Sequence, residues 1–217
     1  MRLTICLIGT LLSLFACASP KTEKVSTKAL ITPTLTPPQV TLDTAIFAAG
    51  CFWCIEAQLK MLEGVDTVLA GYTGGHTKNP TYLEVSMGKT GHAEAVAVVY
   101  KPAVISYDAL LEAFFSSHDP TQLNRQGNDV GTQYRSAIFP HNAYQKERAS
   151  YYIQELTNES VYKQAIATRI EPLVKFYQAE EEHQDFFRRN PSEAYCQYVI
   201  IPKLEKFKRI FSAKLKP

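Results

Sequence analysis

Apolar positions along the chain fall into short blocks with two different periods. "TAIFAAG" (Thr44 to Gly50) is a short apolar run closed by glycine and predicts a buried strand. "CFWCIEAQLKML" switches to helical spacing, with Phe52, Ile55, Leu59 and Leu62 near one face. "VDTVLAGYTGG" predicts a second strand running into a turn at Gly74-Gly75. A short helix is expected over "PTYLEVSMG", then a strand over "HAEAVAVVYKP" that closes before Pro102. Ser106 is placed to cap a helix over "YDALLEAFFSSH", with Leu110, Leu111, Phe114 and Phe115 as its core stripe. The polar stretch "DPTQLNRQGNDVGTQ" is longer than a connection needs, and such loops often carry function. Beyond it come a strand at "YRSAIF", a long helix from Asn142 to Asn158, edge-strand material in "RIEPLVKFYQ" broken by Pro172, and a helix starting at Pro202. Strands and helices alternate without an internal repeat, and a strand interrupted by proline suits a mixed sheet. The pattern predicts an α+β fold, a two-layer sandwich built as one domain over residues 42–217.

Composition narrows the partners more than the fold. With 217 residues, 46% of them hydrophobic, and a formal charge of +2, the chain has neither the basic field of a nucleic-acid binder nor a block of like charges. The N-terminus differs from the rest. "MRLTICLIGTLLSLFACASP" places Arg2 before an apolar run that is too short to span a bilayer but suits the core of a signal peptide over residues 1–16. Leu14-Phe15-Ala16-Cys17 resembles a bacterial lipobox, with Phe15 where a small residue is usual, and this makes Cys17 the candidate lipidation site. The alternative is ordinary secretion of a soluble protein. Residues 17–41, rich in Thr, Lys and Pro, hold too few large apolar groups to offset the entropy of ordering and read as a tether. The expectation is an exported protein of the bacterial envelope, membrane-anchored through Cys17 or else periplasmic or secreted.

The chemistry concentrates in sulfur. Removing the leader, and lipidating Cys17, leaves Cys51, Cys54 and Cys196, an odd number that argues against a purely structural disulfide framework. A structural zinc site needs four ligands, yet only one further cysteine is present and His76, His92, His118, His141 and His183 show no paired spacing, so no metal is expected. Haem attachment fails because Ile55 follows the second cysteine. A disulfide shuttle fits a cysteine pair at a helix start, but such pairs generally enclose small residues or proline. Here Phe52 and Trp53, the only tryptophan, stand between the thiols. At a strand-to-helix junction, unsatisfied N–H groups and the helix dipole favour a thiolate at Cys51. Cys54, one turn on, is read either as a packed small hydrophobe or as a redox partner. A nucleophilic sulfur beside an apolar cage suits a substrate that presents a methyl next to an electrophilic centre, as methionine sulfoxide does.

"GCFWCIEA" resembles the G-C-F-W signature of the peptide methionine sulfoxide reductase A family. "GYTGG", "PTYLEV", "TGHAEAVAVVYKP", "HDPTQLNRQGNDVGTQYRSAIF" and "HQDFF" match in the family's order from Phe47 to about Pro202. The resemblance implies Cys51 as nucleophile, Phe52 and Trp53 as the methyl pocket, Glu94 as the acid, Tyr82 and Tyr134 as phenols that hold the sulfoxide oxygen, and Asp129 as a substrate-fixing residue. It implies Cys196 as the recycling thiol, needing a mobile segment such as "RRNPSEAYCQ", with Cys54 as the alternative. It further implies a monomeric enzyme for the S epimer that needs no cofactor and draws electrons from a thioredoxin-like or small thiol reductant. Glu94 is also odd by its own context: in "AEAVAVV" a carboxyl pointing into a partly dry pocket would stay protonated, the alternative being a salt bridge on an exposed strand face.

Overall fold

The computed structural model describes residues 41–217; the expected leader, tether and Cys17 lie outside the described residues. The predicted elements appear in order. They are β1 (Asp43–Ala49), α1 (Phe52–Leu59), β2 (Val65–Thr73), α2 (Tyr82–Ser86), β3 (Ala93–Tyr100) and α3 (Tyr107–Ser117). A small hairpin follows, β4 (Arg125–Gln126) and β5 (Asp129–Val130), and then β6 (Ser136–Phe139) and α4 (Ala143–Asn158). The chain ends with β7 (Arg169–Ile170), β8 (Tyr177–Gln178), α5 (Phe186–Arg189) and α6 (Ile201–Phe211). Caps set the helix starts as the sequence indicated: the side chains of Ser106 and Asn142 accept the N–H groups of Ala109 and Gln145.

The sheet runs β7-β6-β1-β3-β2-β8. All pairs are antiparallel except β6 with β7, so the sheet is mixed. Alternation along the strands assigns the two faces. Phe47 on β1 and Val96, Val98 and Tyr100 on β3 point into the main core, packed beneath α1, α3 and α6. The opposite face is paved with small residues, Ala48, Ala93, Ala95, Ala97 and Ala137, beside Ile46 and Phe139.

That second face explains one element the sequence misassigned. "RIEPLVKFYQ" is not a single broken edge strand. β7 and β8 sit at opposite edges of the sheet, and residues 171–176 cross its full width between them, with Leu173 and Phe176 packed on the alanine face. A flat alanine pavement admits extended backbone closely enough to bury it. A Cβ on Gly71 would lie 2.3 Å from the ring of Phe176. Arg135 fastens the crossing segment, its guanidinium donating to both Glu171 oxygens at 3.0 Å and also to the carbonyls of Gly91 and Thr132.

Candidate active site

Cys51 is the N-cap residue of α1, set by a turn at Gly50, whose φ of +85° only glycine adopts without strain. The same glycine lets the β4–β5 hairpin approach, since a Cβ there would stand 2.6 Å from Cβ of Gln126. Gln126 in turn pins the long loop, accepting the Asp119 N–H and donating to the Asp119 carbonyl. The loop read as functional is therefore a docked hairpin followed by a 3-10 turn at Thr132–Tyr134. It carries Asp129 and Tyr134 to the mouth of α1.

Glu94 points from β3 to the first turn of α1, where its Oε2 accepts the Phe52 N–H at 3.0 Å. It is 1% exposed, and burial pushes its carboxyl up to about 8, so it holds its proton at neutral pH as the sequence argument expected. Tyr82 opens α2 behind a capping box of Thr81 and Glu84, and burial raises its phenol to about 12. Tyr134 is raised for the same reason. Both phenols lie within electrostatic reach of Glu94, Cys51 and Asp129, so these residues named from the sequence converge on one place.

The rings form a continuous wall. Phe52 lies 5.9 Å from Trp53 and 6.2 Å from Tyr82 between centroids, while Trp53 stacks on Phe186 at 3.7 Å with planes 9° apart. Phe52 is fully buried and Trp53 partly exposed, so the pocket surface falls to Trp53, Tyr82 and their neighbours.

Two expectations about sulfur need correction. Cys51 does not rest as a thiolate. Burial, and then the neighbouring Cys54, raise its thiol well above the ordinary value, outweighing the helix N-terminus. Cys54 is the more acidic partner at about 7, lowered chiefly by its hydrogen bond with Cys51. Nor is Cys196 on a free segment. It is fully buried in a helical turn, Cys196–Ile200, that runs directly into α6, and burial raises its thiol. Within "RRNPSEAYCQ", Arg188 and Arg189 close α5 and Tyr195 is wedged between functional groups.

Tyr195 escaped the sequence reading, as did Glu180, His183 and Phe186. The Tyr195 hydroxyl donates to Asp129 Oδ2 at 2.7 Å and stands 3.8 Å from Cys54 Sγ, and its ring meets Trp53 edge-on at 5.9 Å. Glu180 accepts the Tyr82 N–H and the Tyr72 hydroxyl, and the His183 ring lies 4.1 Å from that of Tyr82. His183 and Phe186 lay within the matched "HQDFF" block. Glu180 sits in the run "EEEH", which carries no local sign of a buried task.

A helix-initial thiol with a second thiol one turn on, walled by rings and facing a protonated carboxyl and two phenols, defines a thiol-dependent oxidoreductase. Comparison with known proteins gives the family. The family model described as peptide methionine sulfoxide reductase matches residues 43–215. The protein named peptide methionine sulfoxide reductase MsrA from Haloquadratum walsbyi is 54% identical over 173 residues, covering 80% of this chain and 98% of that relative. Its namesake from Deinococcus radiodurans is 50% identical over 181 residues, covering 83% and 88%. Among solved structures, methionine sulfoxide reductase A of Corynebacterium diphtheriae superposes with a TM-score of 0.65 at 37% identity, covering 74% of this chain and 80% of that one. Mxr1 from Saccharomyces cerevisiae in reduced form gives 0.68 at 35% identity, covering 77% and 96%. This chain belongs to the peptide methionine sulfoxide reductase family. It is a peptide-methionine (S)-S-oxide reductase that works through thiol chemistry.

Proposed function

We propose that Cys51 takes the oxygen from methionine sulfoxide, with Glu94 as proton donor and Tyr82 and Tyr134 as hydrogen-bond donors to that oxygen. One observation carries this reading: a buried, protonated Glu94 under the first turn of the helix that Cys51 caps. Because Oε2 accepts the Phe52 N–H, Oε1 is left to hold the proton and give it up. The sulfoxide methyl rests against Trp53 and Tyr82, with Phe52 packed behind them, and Asp129 fixes the substrate backbone. Cys51 Sγ bonds to the sulfoxide sulfur as Glu94 protonates the oxygen. The hydroxyl then passes to Cys51, methionine leaves, and the proton lost from the thiol returns to Glu94. The net result is one oxygen moved from methionine to Cys51, now a sulfenic acid.

Cys54 resolves this acid first, forming a Cys51–Cys54 disulfide with loss of water. Its adjacency to Cys51 supports that order. Cys196 then exchanges with Cys54 once its helical turn opens, and a thioredoxin-like or small thiol reductant returns two electrons. The test is an epimer-resolved assay on racemic sulfoxide with a small thiol: wild type stops at half conversion, and Cys51→Ser converts nothing. Conversion by Cys51→Ser overturns the assignment.

The leader pattern of residues 1–16 and the tether that follows support repair of oxidised proteins in the bacterial envelope, with Cys17 lipidated. Intact mass of the exported protein tests this. A mass lacking residues 1–16 and carrying acyl chains on Cys17 is the expected result, and cleavage beyond Cys17 would rule the anchor out.

A further inference from the structure

The segment from Ala179 to Asp185 reads in sequence as a solvated charge run, "AEEEHQD", yet it is bolted to the edge of β2 on both sides of Glu180. Ala179 N–H donates to the Ala70 carbonyl at 2.9 Å. The Gln184 side chain accepts the Ala70 N–H and donates to the Ala70 carbonyl, both at 3.0 Å. Between these anchors, Glu180 presents each carboxylate oxygen to a different partner. Oε1 accepts the Tyr82 N–H and Oε2 the Tyr72 hydroxyl, both at 2.8 Å. Burial alone would raise this carboxyl, but the hydrogen bonds from Tyr82 and its other partners hold it below the usual range, so both oxygens accept at neutral pH. Tyr72 is the cross-strand partner of Glu94. One frame thus links the proton donor on β3, Tyr72 on β2, Glu180 and the first residue of α2.

We infer that Glu180 is a positioning residue for the reduction, holding Tyr82 so that its phenol meets the sulfoxide oxygen in register with Glu94. α2 is only five residues long, and its Leu83 and Glu84 are exposed, as is Met87 just after it, so little packing fixes Tyr82 from that side. The Glu180 carboxylate holds its backbone and the His183 ring, 4.1 Å away, backs its side chain. Glu180 never touches substrate; it acts through Tyr82. The inference rests on the reading that the two phenols hold the oxygen.

Glu180→Gln keeps the shape, but an amide has one acceptor oxygen for two facing donors, so one hydrogen bond must go. The measurement is kcat/KM for this substitution in two backgrounds. In Tyr134→Phe, where Tyr82 is the remaining phenol, Glu180→Gln lowers kcat/KM about tenfold, mostly in kcat. In Tyr82→Phe the same substitution costs less than about twofold, because the group it positions is already gone. Equal losses in both backgrounds mean a merely structural role and overturn the inference. Should Glu180→Gln fail to fold, Tyr72→Phe removes one donor to the same carboxylate and must show the same inequality. A Tyr82→Phe/Tyr134→Phe enzyme with wild-type kcat/KM would sink the phenol reading itself, a failure distinguishable from equal losses in the two backgrounds.

Discussion

Glu94 shows how one side chain is tuned by its surroundings. An unfolded glutamate titrates near about 4.3, whereas the buried one titrates at about 8. The native state holds the proton more tightly, so this contribution to stability is whole below the unfolded value and drains as pH rises through about 8. Glu94→Gln cannot titrate, yet its amide oxygen still accepts the Phe52 N–H. Between about pH 5 and 8 the wild type should lose on the order of a few kcal/mol of stability relative to that variant. Urea unfolding of both proteins at the two pH values checks it, and parallel curves would contradict it. Turnover tells the opposite story: Glu94→Gln should lose about a hundredfold or more, and wild-type rate should fall as pH passes about 8. The sequence singled this residue out because a run of alanines and valines is an odd place for a solvated charge; only the fold decided between a dry pocket and a salt bridge on an exposed face. Tyr195 and Glu180 were illegible because their partners lie far along the chain: Asp129 and Cys54 for one, Tyr72 and Tyr82 for the other.

Among the elements, the short β4–β5 hairpin matters out of proportion to its length. Gly50→Ala forces a positive φ on alanine and drives a methyl into Gln126, a cost of about 1–3 kcal/mol. Because the hairpin carries Asp129, lifting it should raise KM more than it lowers kcat, which steady-state kinetics on a methionine sulfoxide peptide would read. On the other face, Ala95→Leu should displace Phe176 from its seat over Gly71 and cost about 1–3 kcal/mol while sparing kcat, because Glu94 points to the opposite side of the sheet. Thermal melts and a single activity assay separate the two effects. Strands of four or more residues and helices of five or more were legible. The two-residue strands β7 and β8 were not, since each exists only by pairing with a distant edge, and no local period marks a chain crossing beneath a sheet.

For the molecule as a whole, the question is how electrons reach a buried pair of thiols. Cys51, Cys54 and Cys196 are all buried and unpaired in this reduced state. Cys196 is held in a turn that continues into α6, so reduction from outside requires that turn to open. After one equivalent of sulfoxide without reductant, Cys196 should pass from a free thiol into a disulfide with Cys54, as non-reducing peptide mapping would show; a Cys196 that stays a free thiol would exclude such opening. Cys54→Ser should stall as a sulfenic acid trapped by dimedone. Cys196→Ser should still form one disulfide, seen as the loss of two hydrogens in intact mass, yet fail to turn over with a protein reductant. The family, and the helix-initial cysteine with its aromatic neighbours, were readable because they occupy continuous stretches of sequence. The packing of Cys196 was not, because "RRNPSEAYCQ" reads as polar loop while Tyr195 and Cys196 are drawn inward by Asp129 and the core beneath α6.

The lone indole has a practical consequence. Trp53 lies between the two cysteines in sequence, stacked on Phe186 and edge-on to the ring that touches Cys54. Disulfides quench indole emission at close range, and no other tryptophan contributes background. The protein therefore carries its own optical gauge. Its fluorescence should dim as the thiols join and brighten as they part, so each half of the cycle can be timed in a stopped-flow cell without any label.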